Sequence, residues 1–131
     1  MPNEVRLNPN GGSPSIVLTF GFAQFAKFRV FLWDQNGQNF QELTPPDTSN
    51  LPNAPTSFLI NFPAANLIGR FLTWDALIAS PTAGPGEQYS MAATFTQNNA
   101  PAPQNAPFVK TGKLNDKGLA VDMDQTKFVA Q

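Results

Sequence analysis

Apolar and polar side chains alternate one by one along most of the chain, the two-residue period of strands with one face in a core. In 15–22, Ile16, Leu18, Phe20 and Phe22 alternate with Val17, Thr19 and Gly21. In 26–35, Phe28, Val30 and Leu32 fall on one face, and Lys27, Arg29, Phe31 and Trp33 on the other. Further strands are expected over 38–43, 57–62, 87–97, 108–114, 119–123 and 127–130. The spacing in 63–80 fits a helix or a strand, and the β-rich surroundings favour one helical turn over 64–68 followed by a strand over 70–79. Leu18, Phe20, Val30, Leu32, Ile60, Leu72, Met91 and Phe95 are expected to line the core.

The stretches between these runs carry turn residues. Asn36-Gly37 predicts a type I′ hairpin turn that sets Trp33 across from Phe40. Asn115 to Gly118 predicts a second hairpin, joining 108–114 to 119–123, with Gly118 closing a bulged turn. A proline-rich loop is expected over 44–56, a turn over 81–86 and an Asn/Ala/Pro loop over 98–107. Residues 1–14, polar and punctuated by Pro9, Gly11, Gly12 and Pro14, read as an extended N-terminal arm ahead of one domain over 15–131. Eight or nine short strands separated by such turns predict an all-β fold: a two-sheet antiparallel β-sandwich, immunoglobulin-like or jelly-roll-like.

Composition narrows the chemistry. The chain of 131 residues has no Cys and no His, which removes disulfides, thiolate metal sites and the commonest general base. Eight basic residues stand against nine acidic ones and are scattered, so no footprint for nucleic acid is visible. Lys110, Lys113 and Lys117 crowd together but sit among Asp116, Asp122 and Asp124. No apolar run is long enough to enter a membrane as a spanning helix, and Met1–Gly12 lacks the regions of a secretory signal, so a soluble domain is expected. No acids stand in a motif implying a catalytic pair, and no Ser-x-x-Lys occurs. An enzyme, a cofactor and a bound metal are therefore not expected; Asp122 and Asp124 read as acids turned from a strand face toward water.

Charged residues make up only 13% of the chain, about half the usual share. Polarity comes instead from Asn and Gln, about a sixth of the sequence. Weak mutual repulsion favours association of copies. The leading expectation is thus a non-enzymatic interaction or assembly subunit, a homo-oligomer or a protein's partner, associating through strand edges and the N-terminal arm. The alternative is a carbohydrate-binding module. Its glycan would stack on Trp33, Trp74 or Tyr89 and be hydrogen-bonded by Asn36, Asn39, Asn98 and Asn99.

Overall fold

The computed structural model describes residues 3–22, 24–45, 48–50, 54–80, 86–104 and 108–131. Among them are ten strands: β1 (Glu4–Leu7), β2 (Ser15–Phe20), β3 (Phe25–Trp33), β4 (Phe40–Glu42), β5 (Thr56–Leu59), β6 (Phe71–Ala79), β7 (Gln88–Gln97), β8 (Ala100–Pro101), β9 (Phe108–Lys113) and β10 (Leu119–Ala130). One sheet has the order β1-β10-β6-β3-β4. The second runs β5-β2-β7, with β8 and β9 both paired to the free side of β7. The fold is a β-sandwich.

The inward residues of the two sheets form one core. All eight residues expected to line it are buried. Four rings tie the sheets together at its centre: Trp74 of β6 lies 5.8 Å from Phe95 of β7 and 5.9 Å from Phe108 of β9, and Phe95 lies 5.8 Å from Phe128 of β10. All meet edge to face, the arrangement that aligns ring edges with the electron-rich faces. A 3₁₀ turn at Ala64–Asn66 precedes β6, as the mixed periodicity of that stretch suggested.

The residues expected to be an arm differ most from expectation. Glu4–Leu7 is an edge strand of the domain itself, paired parallel with Lys127–Ala130 of β10, so the first sheet is mixed rather than wholly antiparallel. Val5 and Leu7 are fully buried. Two apolar side chains at period two gain more from the core than a free arm gains from mobility. The outer side of β1 is met by Gln104, which bridges Val5, and by the Pro103 carbonyl, which accepts from Arg6 N.

The second expected hairpin is instead a link between sheets. Asn115 and Gly118 do form the turn, with Gly118 at φ 74°. However, β9 pairs with β7 and β10 pairs with β6. A tight turn fixes where the chain reverses, but not which neighbour each flank joins. The first hairpin keeps the expected partners, Trp33 and Phe40. Its turn is closed by Gly37 N–H donating to Asp34 C=O, and only Gly37 in it takes positive φ, so it is not type I′. The Asp34 carboxylate decides this by accepting from the backbone of Asn36, Gln38 and Asn39 and from Asn39 Nδ2. Strand β2 ends at Phe20; Phe22, at φ 61°, lies in the following loop and is exposed. The turn expected over 81–86 falls outside the described residues apart from Gly86.

Candidate functional site

The inward positions of β3 and β6 are buried, so Lys27, Arg29, Phe31 and Trp33 of β3, and Phe71, Thr73, Asp75 and Leu77 of β6, project to the outside of the first sheet. On β10 the outward set is Val121, Met123, Gln125 and Lys127. Cross-strand register arranges these in rows: Val121, Leu77 and Lys27; then Met123, Asp75 and Arg29; then Gln125, Thr73 and Phe31.

This face is unusually apolar for the outside of a sandwich. Val121 is 73% exposed, Met123 55% and Leu77 45%. On the second sheet β7 turns Ser90, Ala92, Thr94 and Thr96 outward, and the exposed Val109 and Leu59 stand apart on β9 and β5 rather than side by side. Apolar side chains left in water this way gain nothing for the fold of an isolated chain.

The face has two different ends. Around Leu77 and Val121 a shallow depression of about 290 Å³ is bordered by Lys27, Arg29 and Asp75. Arg29 and Asp75 form a two-pronged ion pair across β3 and β6, Nε to Oδ1 at 3.0 Å and Nη2 to Oδ2 at 2.8 Å. The hydrogen bond to Asp75 raises the Arg29 pKa above its ordinary value. The guanidinium also sits 5.2 Å from the centre of the Phe31 ring.

The other end is aromatic. Trp33 packs against Phe40 with ring centres 4.7 Å apart, and its indole N–H donates to Thr73 Oγ1 at 2.9 Å. A groove of about 380 Å³ runs beside it, lined by Trp33, Asn36, Phe71, Thr73, Met123 and Gln125. The hairpin turn carries Asn36 to this groove.

The residues expected to bind a ligand do not converge. Trp33 and Asn36 share the groove. Asn39 stands at the end of the same turn, its side chain committed to Asp34. That set of donors, led by Gln38 N–H and Asn39 Nδ2, holds the Asp34 carboxyl below the usual carboxylate range. Trp74 is corrected outright: at 1% exposure it belongs to the core and has no face for a ligand. Tyr89 is buried between the sheets, donating its hydroxyl to Asp122 Oδ2 at 2.6 Å, a bond that pushes its pKa up to about 12. Its ring lies so close over Gly112 that a Cβ there would meet the hydroxyl at 2.6 Å. Asn98 and Asn99 form the turn between β7 and β8 at φ 55° and 62°, and Asn98 Oδ1 accepts from Gly12 N–H.

Asp122 and Asp124 also differ from expectation. Val121 and Met123 take the outward positions on β10, and the two acids point toward the sandwich side, where Asp122 meets Tyr89 and Asp124 Oδ1 lies 3.5 Å from Asn3 Nδ2. Among the described residues no three His, Cys, Asp or Glu side chains gather as a metal site. The sequence reading missed Leu77, Val121, Met123 and Phe71. The available signal was the run Leu119, Val121, Met123 alternating with Ala120 and Asp122, which marks an apolar face whichever way it turns.

Comparison with protein-family models, curated proteins and solved structures finds no match to the chain.

Proposed function

We propose that the chain is a non-enzymatic interaction or assembly subunit that works through the outer face of β3, β6 and β10. The observation carrying this reading is the exposure of Val121, Met123 and Leu77 side by side on one sheet. Contiguous apolar surface of this kind marks binding sites, because water gains when a partner covers it. Strand edges support the reading less. β4 has three residues and β5 four, β1 is flanked by residues 103–104, and β9 carries Lys110 and Lys113. Short or lysine-bearing edges resist strand addition.

The test is affinity capture with the parent chain and Val121→Lys immobilised side by side in an extract of the native cells. A protein held by the parent and released by the variant supports the reading, provided both chains melt together. Equal capture by both, or none by either, contradicts it.

One observation favours a second reading at the aromatic end of the same face. Trp33 offers a partly exposed ring beside two amides, Asn36 and Gln125, the combination that stacks on a sugar and bonds its hydroxyls. Trp74 is dry, so a ligand-induced change in emission would report Trp33. An oligosaccharide panel that shifts the emission of the parent but not of Trp33→Phe supports a lectin. A silent panel removes it.

A further inference from the structure

Building on the apolar face as the working surface, we infer that its occupant is a second copy of this chain, packed face to face. Three features of the face lead there. The first is size. Strands of nine residues in β3 and β6, with β10 and β4 beside them, present a patch of roughly 600 Å² at ordinary strand spacing. Protruding side chains bring this close to the roughly 800 Å² that each partner contributes to a stable interface.

The second is charge. The face carries both signs next to one another, Arg29 on β3 and Asp75 on β6, in the row between its apolar and aromatic ends. Two copies related by a two-fold axis lying along the strands, between β3 and β6, set β3 of one over β6 of the other. Each Arg29 then stands over Asp75 of the second copy, and the two ion pairs become an alternating ring of four charges. An axis along β6 itself would oppose Asp75 to Asp75, so the charges select one pairing among those the apolar surface allows. A patch that carries its own complement fits a copy of itself.

The third is the weak repulsion between copies. A net charge of -1 leaves little long-range barrier to association. In this pairing Leu77 of one copy lies over the alkyl stem of Lys27 of the other, and Val121 and Met123 on β10 lie over the β4 side of the second copy.

The experiment is sedimentation equilibrium of the full chain from about 1 to 100 μM, the range over which a modest interface of this size forms. The parent is expected to reach twice the monomer mass. Val121→Lys should weaken the dimer by at least roughly tenfold. Arg29→Asp should weaken it as well, and Arg29→Asp with Asp75→Arg should restore it. Val109→Lys, on the outside of the second sheet, should leave the mass unchanged. A parent that stays monomeric, or variants that all associate like the parent, overturns the inference. The broader reading is separable in the capture experiment: a different protein bound by the parent and lost with Val121→Lys leaves the face as a binding surface and removes only the second copy.

Discussion

Gln97 and Asn8 hold each other through both ends of one amide. Asn8 N–H donates to Gln97 Oε1 at 2.9 Å, and Gln97 Nε2 donates to Asn8 C=O at 2.9 Å. The same Nε2 reaches Gly12 C=O at 3.0 Å. A single side chain at the end of β7 thus fixes the loop that follows β1. It adds to the β10 pairing and the burial of Val5 and Leu7 that keep the N-terminal strand on its own domain.

Gln97→Ala removes three hydrogen bonds and strands backbone groups that are partly out of water. The expected cost is about 2–3 kcal/mol in urea unfolding. Amide exchange at Val5 and Leu7 should speed up beyond the global change, because β1 loses its anchor. A loss under about 0.5 kcal/mol would show that the loop is held by other contacts.

Tyr89 and Asp122 join the two sheets at the end where β10 reaches toward β9. Because the Tyr89 pKa is raised to about 12 in the folded chain, its contribution to stability is fully present below the ordinary tyrosine value. It is lost as pH rises through the folded value. The parent should therefore lose stability between roughly pH 10 and 12, and Tyr89→Phe should lose less over that window. At neutral pH the same substitution should cost about 1–2 kcal/mol, since a hydrogen bond to a charged group is removed. Spectrophotometric titration showing Tyr89 ionising near pH 10 would contradict the bond.

Gly37 sits at φ 68° with open space around it, so a side chain there meets strain but no clash. Gly37→Val is expected to cost on the order of 1–3 kcal/mol, and Gly37→Asn much less, because Asn tolerates the left-handed region. Equal melting temperatures for Val and Asn variants would mean that the turn is remodelled. The Asp34 carboxylate provides a separate check: its NMR titration should fall below the usual carboxylate range, and its contribution to stability should vanish as pH falls through that lowered value.

Much of this fold was legible because period-two alternation writes the core directly. Leu18, Val30, Leu72 and Phe95 each stand in such a run, and each is buried. Pairing was harder to read. Trp33 and Phe40 could be matched because a short turn joins them, whereas β9 and β10 flank an equally good turn and part to different sheets. Alternation also fails to say which face is inward when both are mixed. On β10 Asp122 and Asp124 were expected to face water; the hydrogen bond from Tyr89, contributed by a strand 33 residues away, shows Asp122 turned the other way. The candidate site was hidden for the same reason: it is an apolar surface that sequence reasoning sends to the core by default.

Methionine methyl NMR tests the central claim most directly, because the chain has three methionines and two of them occupy opposite environments. Met91 is buried in the core, and Met123 stands on the outer face of the first sheet. With the methyl groups labelled and the chain diluted from high concentration, the Met123 signal should shift or broaden with concentration while Met91 stays fixed. That result places the second copy over Val121, Met123 and Leu77 without altering a residue. A Met123 signal that is sharp and independent of concentration would contradict it.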